Sequence, residues 1–269
     1  PGNPDYHELS PDFRKLFDDK VGRFKKEEEN PADYYFSKAG ILAEFGKVIV
    51  ISCGYLQKKG DAYTLQIKTF SNHDEKLLLE SFLPTLINVS KNDYQLCGHN
   101  IREFDVPWLC RRFLINGLPL PPVLDIYGKK PWEVNHVDTL DLWKFGDFKH
   151  YTSLHLLANV LNVPTPKDDI DGSMVGAVYW KENNLSRIAK YCSKDVIAVA
   201  QIIMRLKGLP LINDEYRFSG NIKKCPANNR AFLKLSTDKN LIIYFTSTFF
   251  TGATAMDVLG ITIVSTPFT

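Results

Sequence analysis

The sequence predicts an α/β protein built on a mixed sheet. An apolar, β-branched run, residues 47–55, and an alternating run, residues 62–70, sit close together with Lys58-Lys59-Gly60-Asp61 between them, which is hairpin chemistry. Shorter apolar runs then alternate with stretches of helical period. Residues 184–206 carry one apolar stripe, Leu185, Ile188, Cys192, Val196, Val199, Ile202 and Leu206, at three- and four-residue steps. A hairpin followed by alternating helices and strands stacks helices on a sheet.

Taken in order, Pro1-Gly2-Asn3-Pro4 is turn chemistry, and Ser10 before Pro11 starts a helix running to about residue 26. Residues 25–29 are a charge run, read as a solvated face. Residues 31–45 read as a second helix. After the hairpin, 74–89 is a helix, 94–98 a short strand, and 105–116 a helix closed by Gly117. Residues 135–140 read as a strand, 153–162 and 173–180 as short helices. Asn184 caps the long helix, and Gly208 with Pro210 ends it.

From residue 221 the character changes. Residues 241–250 and 258–264 are rich in Ile, Thr and Phe, and the last 29 residues carry one charge, Asp257. The length would suffice for a membrane helix. The Thr content and the breaks at Gly252 and Gly260 favour strands or an unstructured tail, so no membrane is expected. Residues 1–212 are read as one domain and 213–269 as an extension.

Composition is that of an ordinary globular protein, 44% apolar and 24% charged, and 269 residues can bury a real core. A net charge of +2 leaves a local basic groove open. The five cysteines are odd in number and form no C-x-x-C. Reduced thiols and a cytoplasmic setting follow.

Two motifs carry chemistry. Tyr191 and Asp195 lie four apart, one helical turn from each other. A carboxylate can hold a divalent cation, and a phenol one turn away can hydrogen-bond the water such a cation activates. Alone, the pair reads equally as half-buried packing and a solvated charge. The second motif follows the strand at 94–98: His99-Asn100-Ile101-Arg102-Glu103-Phe104-Asp105. Asp105 can be the N-cap of the next helix, with Pro107 in its first turn. It can also bind a cation at the carboxyl end of a strand, where open α/β sheets place ligands. Asn100 would then hydrogen-bond substrate, and Phe104 would be a wedge or platform for a base. His99 adjoins Asn100 and can touch substrate, although a satisfied structural histidine is the commoner case.

Asn100, Phe104, Asp105, Tyr191 and Asp195 resemble the second and third motifs of the DEDDy class of 3′–5′ exonucleases. The nearest likeness is to stand-alone bacterial proteins related to the proofreading exonucleases of family B DNA polymerases. Gly128-Lys129-Lys130-Pro131-Trp132, residues 137–146 and residues 165–175 share the resemblance, which covers about 1–212. Lys190 stands where the histidine variant would need His, so Tyr191 selects the tyrosine variant. The resemblance implies a ribonuclease H-like three-layer fold and two Mg²⁺ or Mn²⁺ ions about 4 Å apart, held by four carboxylates. Here Asp105 and Asp195 supply two. The other two belong to a D-x-E motif on the first strand, which is expected before Pro1 and is absent from this chain. The expected partner is the 3′ end of a single-stranded nucleic acid, DNA ahead of RNA. The alternative is an inactive nucleic-acid-binding module of the same fold.

The absent first strand would be central, between the strands at 47–55 and 94–98. One of the two tail segments, 241–250 or 258–264, is expected in its place. Asp138, Asp141, Asp168, Asp169 and Asp171 are further acids of interest. Arg111, Arg112, Lys129, Lys130, Lys144 and Lys149 can line a phosphate track. Trp132, Trp143 and Tyr151 can stack bases, with core packing the default for the tryptophans.

Overall fold

Alternation along the strands sorts the apolar side chains onto two faces of one sheet. The computed structural model describes residues 2–22, 29–59, 62–147, 151–164, 170–212, 216–218 and 242–248. In β1 (Val50–Lys59), Ile51 and Cys53 face one core while Val50 faces the other. In β2 (Ala62–Ser71), Phe70 joins the first, and Leu65 and Ile67 join the opposite side. Leu96 and Cys97 of β3 (Gln95–Gly98) divide the same way. This is the period of two that a sheet covered on both faces requires.

The first face is covered by α3 (Glu75–Lys91) and α4 (Val106–Ile115), through Leu78, Leu79, Phe82, Trp108, Leu109 and Phe113. The second is covered by α8 (Leu185–Leu206), through Val196, Ile197, Val199, Ala200 and Ile203. Asp74 caps α3 by accepting the Leu77 N–H at 3.0 Å, and Asn184 caps α8 by accepting that of Arg187 at 3.1 Å. Each satisfies a donor that the first helical turn leaves open. Ahead of the sheet, α1 (Pro11–Val21) and α2 (Pro31–Lys38) close an aromatic cluster of Tyr6, Phe17, Tyr35 and Phe45. The helix expected over 31–45 stops early. Residues Ala39–Ile41 form one 3₁₀ turn, and the Trp108 indole N–H donates to the Ile41 carbonyl at 3.1 Å.

The sheet has six strands, with β4 (Val137–Asp138), β5 (Tyr216–Phe218) and β6 (Ile242–Thr248) completing it in the order β4-β3-β6-β1-β2-β5. β1 and β2 form the expected hairpin, Lys59 pairing with Ala62; the turn residues 60 and 61 lie outside the described residues. β6 stands between β1 and β3, antiparallel to the first and parallel to the second. The tail thus supplies the central strand, as expected of residues 241–250; residues 258–264 lie outside the described residues. β5 pairs parallel with β2 and had no counterpart among the expected strands. The strand expected over 135–140 is only two residues long. It ends at Asp138 because that residue caps α5 (Thr139–Lys144).

The remaining helices are α6 (Leu154–Val160), capped by Ser153, and α7 (Val175–Trp180), preceded by a 3₁₀ turn capped by Asp171. Cys53, Cys97, Cys110 and Cys192 are free thiols, and burial pushes Cys53 up to about 12. Among the described residues no helix is long and apolar enough to cross a membrane.

Candidate active site

β3 and β4 are parallel with Gly98 opposite Asp138, so the two strands end together. Beyond Gly98 the chain reverses at Asn100, which is left-handed at φ 60° and ψ 24°. Asparagine tolerates this region better than most residues. Asp138 holds the reversal. Its Oδ1 accepts the Asn100 N–H at 2.9 Å and the Leu140 N–H at 2.9 Å, and its Oδ2 accepts the Arg102 N–H at 3.1 Å. Asp138 is 3% exposed, and its carboxylate is committed to these three donors. It is an anchor for the site, where a further metal ligand had been considered.

A π-helical turn, Ile101–Asp105, joins Asn100 to α4. Such wide turns recur at functional sites. The turn runs straight into α4, so Asp105 has helical backbone (φ −60°, ψ −48°) and makes no side-chain cap hydrogen bond. A capping carboxylate needs extended backbone to reach the N–H groups ahead of it. The N-cap role expected for Asp105 is therefore not filled, while Pro107 does lie in the first turn as expected. Asn100 makes no side-chain cap bond either, and its carboxamide makes no hydrogen bond among the described residues. Phe104 is half-buried against the α3–α4 core.

His99 is committed at both ring nitrogens. The Thr152 carbonyl, 2.8 Å from Nε2, can only accept, so Nε2 carries the proton. Nδ1 lies 2.9 Å from the Thr139 hydroxyl, whose single proton also has the Gly98 carbonyl 3.2 Å away. Burial lowers the His99 pKa, which keeps this ring neutral. His99 thus ties β3 to the segment before α6, the structural role its position in sequence also allowed. Its ring lies edge-on to Tyr151, centroids 6.3 Å apart. The Tyr151 phenol is pushed up to about 12, first by burial and then by the charges of Asp105 and Asp138. Asp105, Asp138, His99 and Tyr151 therefore gather at the carboxyl ends of β3 and β4.

Asp195 and Tyr191 ride on α8, both half-buried. Tyr191 packs against the cluster of Ile49, Val50, Val175 and Ile188. What seats this part of α8 is Gly54 of β1. A Cβ there would lie 2.8 Å from the Gln66 carbonyl oxygen and 3.1 Å from Cγ1 of Val196. The Gln66 carbonyl requires glycine here, and Val196 of the turn carrying Asp195 packs into the space that glycine leaves. β6 touches both α8 and the π turn that ends at Asp105, so the two acid-bearing elements flank one strand. Among the described residues no three or more His, Cys, Asp or Glu side chains form a metal-binding group.

Around the site, the Arg102 guanidinium donates to the Val134 carbonyl at 2.7 Å, the His136 carbonyl at 3.0 Å and Asp141 at 3.4 Å. Lys144 Nζ lies 3.6 Å from Asp141 and 3.9 Å from Glu103. Arg112, considered for a phosphate track, is instead buried in an ion pair with Glu75. Lys149, Asp168 and Asp169 lie outside the described residues. Trp132 departs from the core default: it is 77% exposed, with Lys130 Nζ 5.3 Å from its ring centroid. Trp143 keeps the default, packed on the cluster of Leu157 and Ile202. Sequence reasoning missed the anchoring role of Asp138, although Asp138-Thr139-Leu140-Asp141 carries a recognisable helix-start signal.

These features define a mixed α/β protein with acidic and phenolic groups at the carboxyl ends of neighbouring parallel strands, the place where open sheets put ligands. The chain belongs to the family of predicted 3′–5′ exonucleases related to the exonuclease domain of PolB, whose model matches residues 41–245. The match passes residue 212, the expected end of the likeness, and reaches into β6. No curated protein and no solved structure matches the chain.

Proposed function

We propose that the protein is a metal-dependent exonuclease that hydrolyses phosphodiester bonds at the 3′ end of single-stranded DNA, with RNA the second choice. The observation that carries this reading is Asp105: it ends the turn after β3, and its carboxylate is not used to cap the helix it precedes. The family supplies the reaction class. The sheet supports a ribonuclease H-like reading, with a hairpin beside a central strand that is antiparallel to β1 and parallel to β3.

Asp105 and Asp195 are oxygen donors of the kind that Mg²⁺ and Mn²⁺ prefer, and they would hold the cation. When bound, the cation neutralises charge on the scissile phosphate and acidifies the attacking water. The protein's own groups do the positioning. The Tyr191 phenol orients the water by a hydrogen bond. The Asn100 carboxamide holds the terminal nucleotide, and Phe104 supports its base. Asp138 keeps Asn100 in place, and His99 with Tyr151 closes the inner wall.

The test is hydrolysis of a 3′-labelled single strand with Mn²⁺, comparing wild type with Asp195→Ala. We expect the wild type to shorten the strand from its 3′ end and Asp195→Ala to lose at least a hundredfold in rate, on the order of one transition-state charge contact. Equal digestion by the two proteins removes Asp195 from the mechanism. Strand binding by the wild type without hydrolysis would instead assign an inactive nucleic-acid-binding module.

A further inference from the structure

The residue after α5 is in a costly conformation with no packing to show for it. Phe145 is left-handed, φ 45° and ψ 34°, and its side chain is 86% exposed. Glycine, asparagine and aspartate are the usual occupants of this region, and a bulky aromatic there is an outlier. An aromatic side chain normally offsets such a cost by burial, and this one is left in water. Strain of this kind is kept where the surrounding structure uses it.

The surroundings indicate the use. Lys144, directly before Phe145, is only 10% exposed and reaches Asp141 and Glu103. Glu103 belongs to the π turn that ends in Asp105. Arg102 of the same turn binds Asp141 of α5. The end of α5 is thus strapped to the turn bearing Asn100, Phe104 and Asp105. Gly146, at φ 87°, then turns the chain away. An exposed ring carried by a segment tied to the turn that ends in Asp105 has the chemistry of a stacking platform for single-stranded nucleic acid.

We propose that Phe145 stacks on a base of the substrate strand close to its 3′ end, so that it sets affinity for single strands and not the rate of bond cleavage. This rests on the exonuclease reading. Bases of every type present a π face, so the contact is tolerant of sequence and demands an unpaired strand.

The test uses the whole chain and three variants: Phe145→Gly, Phe145→Trp and, as a control on chemistry, Asp195→Ala. Binding of a fluorescein-labelled single strand is read by anisotropy, hydrolysis with Mn²⁺ by kcat and KM, and folding by Tm. Glycine relieves the left-handed backbone, so Phe145→Gly should keep the wild-type Tm or exceed it. Its Kd and KM should rise roughly thirtyfold, a middle value for loss of one stacked base, with kcat unchanged. Phe145→Trp should keep the wild-type affinity. An abasic nucleotide near the 3′ end should weaken wild type more than Phe145→Gly. Unchanged Kd in Phe145→Gly, or a fall in Tm that Phe145→Trp shares, overturns the inference and leaves the nuclease reading standing. Absence of single-strand binding by wild type overturns both.

Discussion

Asp138 Oδ1 lies 2.9 Å from the backbone nitrogen of Asn100 and accepts its N–H across the paired ends of β4 and β3. That bond makes a left-handed Asn100 affordable, and everything downstream in the π turn is placed by it. Asp138→Ala leaves three backbone donors without their acceptor in a buried position. The expected cost is about 3 kcal/mol, given that hydrogen bonds to a charged acceptor are the stronger kind. Thermal unfolding should show Tm falling by roughly 6–12 °C for a chain of this size. A Tm within about one degree of wild type would remove Asp138 from this role.

Gly54 makes the matching claim for the other half of the site. A methyl group at this position meets a backbone carbonyl that cannot rotate away, and Val196 of α8 beyond it. Gly54→Ala should therefore push α8 off β1 and carry Asp195 with it. Overpacking of this order costs about 2 kcal/mol. The midpoint of urea unfolding should fall, and activity should fall by more than the loss of folded protein explains. Full activity with a normal midpoint would show that α8 has slack at this turn.

Where local chemistry decides the structure, the sequence was readable. Ser10, Asp74, Ser153 and Asn184 each cap the helix they precede, as their side chains and positions require. The hairpin and the long stripe of α8 follow from period alone. Legibility failed where a distant partner decides. Residues 31–45 look helical throughout, yet Trp108, sixty-odd positions away in sequence, bonds the turn at Ile41. The strand at 135–140 stops short because the Asp138 carboxylate works in two directions at once. The π turn has no periodic signature. Asp105, Tyr191 and Asp195 were visible as motifs, whereas the closeness of Tyr151 to Asp105 exists only in the fold.

His136 gives a pH dependence with a definite sign. It is 7% exposed, and its pKa is lowered to about 4, first by burial and then by the charges of Arg102 and Lys129. The folded protein therefore prefers the neutral ring. Its contribution is complete above the unfolded value of about 6.5 and is lost as pH falls toward 4. The difference amounts to about 3 kcal/mol across that window. Unfolding midpoints measured from about pH 7.5 down to about pH 4 should slope more steeply for wild type than for His136→Gln. His99 is also lowered by burial, so the variant should keep part of the slope. Identical slopes would mean that His136 titrates normally.

The central strand offers the sharpest structural test. Ile243 of β6 is flanked by Tyr55 of β1 on one side and Leu96 of β3 on the other. Ile243 ends the register with β1 and is the middle pair of the register with β3. Proline there removes the donor and crowds the adjoining strand, at a cost of about 3 kcal/mol or more. In Ile243→Pro, amide exchange should accelerate in two separate places, residues 52–55 and 95–97, because each strand loses the same partner. The π turn and α8 both touch β6, so nuclease activity should fall in parallel with protection. Should only one strand lose protection, β6 pairs with that strand alone; should neither, the middle of the sheet is held by something other than residues 242–248.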